Sequence, residues 1–293
     1  MIIVITGATG SGKSKLAISL AKKLGAGIVN ADAFQVYQEL GIATAKPTPE
    51  MMMEAPHFLF DFIPLSESYN VSEYQKDLRS TIATLQEAGK PIIIAGGTGL
   101  YIRAGLFDYN FEKTPHVDMS EYEALDDEAL HAKLMEIDPR SANSIHPHNR
   151  RRVLRAIEIF LATGHTKSSM IEEQEHKPIY DDVIFFGLKA EREQLYERVN
   201  ARVEQMFKEG LVEEDRRLVE KYGRDVGAFQ AIGVKEMFPY FDGKESLEHC
   251  KELIKKNTRN YVKRQDTFFR HQFSIKWIKD ENDILNYLSS LER

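Results

Sequence analysis

The chain opens on an unbroken apolar run, "IIVI" at 2–5, followed at once by glycines. A short run of this kind, bounded by turn residues, reads as a strand buried on both faces. Over 13–24, "KSKLAISLAKKL", the apolar positions change to helical spacing, with Leu16, Leu20 and Leu24 on one face and Gly25 and Gly27 beyond the end. "GIVNAD" at 27–32 and "HFLFDFI" at 57–63 read as the next strands. Val71, Tyr74, Leu78, Ile82 and Leu85 mark a helix over 71–88, and "PIIIAGG" at 91–97 and "DVIFFGL" at 182–188 are further buried strands. Such alternation predicts a parallel sheet with crossover helices.

The alternation breaks between 112 and 181, a polar stretch of helical character with almost no strand signal. The expected organisation is a core of 1–111 and 182–293 with a helical insertion domain at 112–181. Beyond 190 the pattern is mostly helical, over 191–208 and 245–271, with a last strand at 273–278, "FSIKWI".

The first strand runs into "GATGSGKS", residues 7–14, which fits G-x-x-x-x-G-K-S. Gly7, Gly10 and Gly12 let the backbone turn tightly, so the amides of Gly7, Ala8, Thr9, Gly10, Ser11, Gly12, Lys13 and Ser14 can face phosphate oxygens at a helix N-terminus. Lys13 adds a point charge, and the Ser14 hydroxyl suits a Mg²⁺ ion. The expected fold class is therefore α/β, a P-loop NTPase-like parallel sheet with flanking helices and a helical insertion.

Other residues fall where ligands sit in such sheets, at the carboxyl ends of the strands. Asp32 ends the second strand and suits either a base or a cap and metal-shell carboxylate. Gln35 follows on the same loop, where an amide can bond an adenine edge or serve the loop itself. "AGGTGLY" at 95–101 brings backbone and the Thr98 hydroxyl towards the same place. Arg202 lies inside the apolar face of 191–208, a costly placement without an anionic partner, either a phosphate or a protein carboxylate. No D-x-x-G or N-K-x-D motif of a switch GTPase occurs. His146 and His148 have no third metal ligand at convincing spacing.

Net charge is −6, yet "RRRVLR" at 150–155 holds four arginines and no acid, and 251–270 carries seven basic residues against two acidic ones. Local patches rather than the total decide binding to a polyanion. With one cysteine, Cys250, neither a disulfide framework nor a cysteine-rich zinc site is possible. No apolar run approaches the roughly 18 residues of a membrane span.

The chain resembles the bacterial tRNA dimethylallyltransferases, also called tRNA isopentenyltransferases. The resemblance rests on "GATGSGKS", "DAFQVY" followed by "IATAKP", "APHFLFD", "GGTGLYI", "IHPHNRRRVLRAIEIF", "AIGVKE" and "KRQDTFFR", in order from residue 7 to 270. It implies transfer of a dimethylallyl group from dimethylallyl diphosphate, with Mg²⁺, to the exocyclic amine of the adenosine 3′ of the anticodon. By the resemblance Asp32, Thr98 and Arg202 are catalytic, as base, bridging-oxygen contact and diphosphate grip. The implied contacts to the tRNA anticodon stem-loop are Asp32, Ala33, Phe34, Gln35, Arg151, Arg152, Arg155, Gln230, Lys235, Lys263, Arg264, Gln265 and Arg270. Ala33 departs from the family's usual serine. A cytoplasmic enzyme without membrane contact is expected, and nothing in the sequence demands more than a monomer. A small-molecule phosphotransferase or an adenylate isopentenyltransferase is the rival reading, against which the basic, aromatic C-terminal helix argues.

Overall fold

The computed structural model describes residues 1–111, 115, 117–173 and 176–291. Among them six strands form one sheet: β1 (Ile2–Thr6), β2 (Gly27–Asn30), β3 (His57–Phe58), β4 (Ile92–Ala95), β5 (Val183–Leu188) and β6 (Lys276–Ile278). The order across the sheet is β3-β2-β4-β1-β5-β6. All neighbours run parallel, with Ile3 of β1 opposite Ile93 on one side and Ile184 on the other. This is the α/β P-loop-like architecture that the strand–loop–helix pattern predicts. Ile2 to Ile5 are at most 1% exposed, because helices cover both faces of a parallel sheet.

Helix α1 (Lys13–Leu24) leaves the glycine-rich loop and buries Leu16, Ala17 and Leu20 against Ile3, Ile5 and Ile28. After α2 (Pro49–Glu54), α3 (Val71–Glu87) starts on a capping box. The Asn70 side chain accepts from the Ser72 and Glu73 amides, and Glu73 answers the Asn70 N–H. Helix α4 (Gly99–Leu106) starts directly after Thr98.

The chain forms two compact units, Met1–Leu106 with Tyr180–Arg293, and Phe107–Ile179. The boundary expected at residue 112 lies outside the described residues. The smaller unit holds α5 (Ser120–Glu123), α6 (Asp127–Ile137), α7 (Pro139–Ser144), α8 (Arg150–Thr163) and α9 (Lys167–Glu173). Leu130, Leu134, Ile145, Val153 and Ile157 form its own core. Asp138 caps α7 through the Ser141 amide and also accepts from the Ser168 amide and hydroxyl, which ties α9 to α7.

In the larger unit β5 leads into α10 (Arg192–Lys208), α11 (Leu211–Tyr222), short 3-10 turns at Gly227–Gln230 and Lys235–Met237, α12 (Phe238–Phe241), α13 (Leu247–Gln272) and α14 (Glu281–Leu291). The expected apolar stripe of α10, Leu195, Val199, Val203 and Met206, is buried. Two strand expectations need correction. The run 57–63 joins the sheet only at its first two residues, because Leu59 and Asp61 take left-handed φ of 61° and 54° and turn the chain off it; Ile63 then makes a lone parallel bridge with Tyr37. The run 273–278 pairs only over Lys276–Ile278.

One buried acid was missed in the sequence. Asp215, on α11, is fully buried, and neither carboxylate oxygen has a hydrogen-bond partner. Burial first, then the charges of Glu214 and Glu236, push its pKa up to about 8. The folded state therefore holds a proton at pH 7 that the unfolded chain gives up near pH 4. Its stabilising protonation is complete below that range and lost as pH rises towards 8. We predict that Asp215→Asn removes a loss of up to about 1.4 kcal/mol per pH unit between pH 5 and 8. Denaturant unfolding of both proteins across that range checks it, and parallel pH profiles would refute the assignment.

Candidate active site at the carboxyl end of the sheet

The loops leaving β1, β2 and β4 converge at one edge of the sheet, and α10 and α13 close over them. Thr9, Lys13, Ser14, Asp32, Gln35, Gly96, Gly97 and Arg202 line one cleft. Thr9, Asp32 and Arg202 also line a second pocket with Phe34, Val203, Met206, Gln230, Ile232, Lys235, Tyr261 and Arg264. The two spaces share Thr9, Asp32, Thr44 and Arg202.

Local bonding explains why Asp32 stands where it does. The Asn30 side chain accepts from the Asp32 amide at 2.9 Å, and Asp32 Oδ1 accepts from the Phe34 amide at 3.0 Å, which opens a turn. Oδ2 accepts no hydrogen bond from the described residues, so one oxygen builds the turn while the other stays open. Thr98 locks this turn to the end of β4: its hydroxyl accepts from the Ala33 amide at 3.0 Å, and its own amide donates to the Ala31 carbonyl. The close approach needs glycine. A Cβ on Gly96 would lie 2.1 Å from the Ala31 carbonyl oxygen, and one on Gly97 would lie 2.2 Å from Gln265 Nε2.

The electrostatics are lopsided. Burial drives the Lys13 pKa down to about 8; the nearby Asp32 charge opposes this and Arg202 adds to it. Arg202 is itself pushed below its usual value by burial, with Asp32 opposing. Arg202 forms no ion pair among the described residues, so the protein-carboxylate alternative is not what the structure shows. Two desolvated cations against one carboxylate make a site with unmet affinity for an anion.

The predicted residues do not all gather here. Gly7, Ala8 and Ser11 line a separate cavity with Lys189, Arg192, Tyr196, Lys263, Arg270 and Trp277. The Thr9 amide is not free for a phosphate, because it donates to Gln265 Oε1 at 2.9 Å. Gln265, expected as an RNA contact, needs correction. It is 4% exposed, and its other end donates to the Gly97 carbonyl at 2.9 Å, so it staples α13 to the phosphate loop and the β4 turn. Gln35 also uses its amide nitrogen at home, donating to the Thr44 and Ala45 carbonyls. A bidentate adenine contact would require that nitrogen, so Gln35 braces the cleft wall in this arrangement.

Of the remaining expected RNA contacts, Gln230, Lys235 and Arg264 are exposed beside the second pocket. Arg270 is paired to Asp266 at 2.9 Å and stacks on Trp277. In the smaller unit Arg151 and Arg152 are exposed on α8, whereas Arg155 pairs with Glu158 at 2.7 Å. His148 lies 3.2 Å from Asp127, and no group of three or more metal-ligating side chains is arranged for an ion among the described residues. Sequence reasoning missed Tyr261, whose hydroxyl sits 3.5 Å from the Gly97 oxygen and whose pKa is raised to about 12 by burial and by Asp32. Its spacing four residues before Gln265 on a helix was the available signal.

Strand, glycine-rich loop and buried cations at the carboxyl end of one parallel sheet define a P-loop-type α/β protein. The profile of the family described as IPP transferase matches residues 35–272. A tRNA dimethylallyltransferase of Anoxybacillus flavithermus is 43% identical over 98% of this chain and 96% of its own length. Among solved structures, the tRNA delta(2)-isopentenylpyrophosphate transferase of Staphylococcus epidermidis has a TM-score of 0.73 at 38% identity, covering 99% of this chain and 97% of that one. A eukaryotic dimethylallyltransferase acting on tRNA has a TM-score of 0.80 at 30% identity, covering 95% and 74%. The chain belongs to the IPP transferase family.

The staple makes a quantitative prediction. Gln265→Leu strands the Thr9 N–H and the Gly97 carbonyl and should cost roughly 2–4 kcal/mol in denaturant unfolding. The exposed neighbour Lys263→Ala should cost within about 0.5 kcal/mol. Equal, small effects would return Gln265 to the surface.

Proposed function

We propose that this protein transfers a dimethylallyl group from dimethylallyl diphosphate to the exocyclic amine of the adenosine 3′-adjacent to the anticodon in tRNA, releasing diphosphate. One observation carries the reading: two pockets, one reaching the phosphate loop and one bordered by exposed Gln230, Lys235 and Arg264, both open onto Asp32. A donor entering by the first and a nucleobase by the second would meet at that carboxylate. A base stacked in an anticodon loop must be extruded before its amine can be reached, and the second pocket has the depth-lining apolar side chains for one.

In this reading Lys13 and Arg202 neutralise the diphosphate and Thr98 hydrogen-bonds its bridging oxygen. The amine nitrogen forms a bond to C1 as the C1–O bond breaks; the electron pair leaves on diphosphate, and the amine proton passes to Asp32 Oδ2. Mg²⁺ fits the donor set: with the hydroxyls of Thr9, Ser14 and Thr44 and one carboxylate, Asp32, lining the cleft, an ion that keeps waters and takes substrate phosphate oxygens is suited, while a cage of three or more His, Cys, Asp or Glu ligands is lacking among the described residues. When bound, it would spread the charge of the departing diphosphate. We read Arg151, Arg152 and Arg155 of the helical insertion, with Lys235, Lys263 and Arg264, as contacts to anticodon-stem phosphates. No helix among the described residues is long and apolar enough to cross a membrane. We take the enzyme to act in the cytoplasm as a monomer.

The direct test incubates the protein with radiolabelled dimethylallyl diphosphate and unmodified tRNA; absence of label in tRNA would sink the reading. Asp32→Asn keeps the turn but removes the basicity. Turnover should fall by about 10²–10⁴-fold with both substrates still bound, measured by single-turnover transfer, and near-normal turnover would dismiss Asp32 as base. Despite the net charge of −6, tRNA affinity should fall steeply with salt. Arg151→Ala, Arg152→Ala and Arg155→Ala together should flatten the log–log slope by roughly 1–3 while donor affinity holds. An unchanged slope would remove these arginines from the RNA contact.

A further inference from the structure

Five non-glycine residues among those described have positive φ: Glu39, Ala45, Leu59, Asp61 and His176. Three of them border the donor cleft. Ala45 lines it directly, and Leu59 and Asp61 flank Phe60, which lines it too. Backbone held in this region is strained and persists only where surrounding bonds over-determine it. Here they do. The Leu59 carbonyl accepts from the Asn30 side chain at 2.9 Å, the Asp61 amide donates to the Gln35 carbonyl at 3.0 Å, and the Asp61 carboxylate pairs with Lys46.

The outcome of that strain is a fixed apolar wall. The turn at 59–61 takes the chain off the sheet and sets the Phe60 ring in the cleft. His57 packs edge-on against it with ring centroids 5.3 Å apart, while its Nδ1 lies 2.7 Å from the Ala55 carbonyl oxygen, fixing the imidazole. Pro47, Ile28 and Ala17 add to the apolar lining of the cleft that Lys13, Ser14 and Arg202 also line. One cleft therefore combines cationic side chains with an apolar wall that includes two packed rings.

On the reading of the protein as a prenyl transferase, we propose that Phe60, backed by His57 and Pro47, is the gauge that limits the donor to a five-carbon chain. In that reading the diphosphate is held by Lys13 and Arg202, so the tail is measured from a constant origin. A longer prenyl chain must displace Phe60, which the two left-handed neighbours and their three ties prevent. The same device explains why the strand signal at 57–63 fails after two residues: pairing would carry Phe60 along the sheet edge instead of into the cleft.

The experiment offers dimethylallyl and geranyl diphosphate as competing donors for unmodified tRNA and resolves the products by mass. The wild-type enzyme should prefer the five-carbon donor by about 100-fold or more, and Phe60→Ala should narrow that ratio at least ~10-fold, chiefly by lowering KM for the longer donor. A ratio within about 2-fold of wild type in folded Phe60→Ala would overturn the gauge, as would a wild-type enzyme that uses both donors equally. A wild-type enzyme that transfers neither chain would instead overturn the parent reading. Thermal unfolding reports whether Phe60→Ala folds; if it does not, Phe60→Leu and His57→Ala are read by the same ratio and the same limits.

Discussion

The Gln265 carboxamide bridges two backbone groups that belong to different strands' loops, the Thr9 amide and the Gly97 carbonyl. Most of the site's geometry depends on that bridge. It fixes the phosphate loop against the β4 turn, the β4 turn holds Thr98, and Thr98 holds the turn that begins at Asp32. The bridge also seats α13, a helix of 26 residues, on the sheet edge through Tyr261 and Gln265 while Lys263 and Arg264 face outward. A single buried amide thereby joins the helix that carries the outward-facing Lys263 and Arg264 to the glycine-rich loop. Its burial is offset by two bonds to groups that would otherwise be unsatisfied.

Within that frame the charges are deliberately unbalanced. Lys13 and Arg202 are desolvated beside one carboxylate, which costs stability in the free protein and favours an anion at this place. Asp32 has Oδ1 spent on structure and Oδ2 open, and it lines both pockets. The capping bond therefore leaves one oxygen available for a second role, as the proposed base requires.

The sequence made the sheet legible because its strands are short, continuous apolar runs and its first loop carries a spacing with few alternative uses. Arg202 was legible as a charge on a face otherwise occupied by Val199, Val203 and Met206. Gln265 was not legible. Its neighbours Lys263, Arg264 and Arg270 look like a solvated cationic face, and a buried amide in their midst is visible only once the helix phase is fixed by packing. Gln35 was ambiguous for a related reason: an amide on such a loop suits either base reading or the loop itself, and only the fold shows its nitrogen donating to the Thr44 and Ala45 carbonyls. Asp215 was overlooked although helical spacing carried its signal: it falls four residues after Leu211 and three before Leu218, on the apolar face as Arg202 does.

The fit between Gly97 and Gln265 also bears on how such a chain can change over generations. A Cβ at 97 would sit 2.2 Å from Gln265 Nε2, so any larger residue there requires a shorter one at 265. A shorter residue at 265 releases the Thr9 amide, and no other described side chain bonds it. Each single step is therefore worse than the starting pair, and only a concerted double substitution with a new partner for Thr9 leads away from it. The two positions, 168 residues apart in sequence, are bound into one unit of inheritance, and drift along the rest of α13 leaves them behind as a fixed pair.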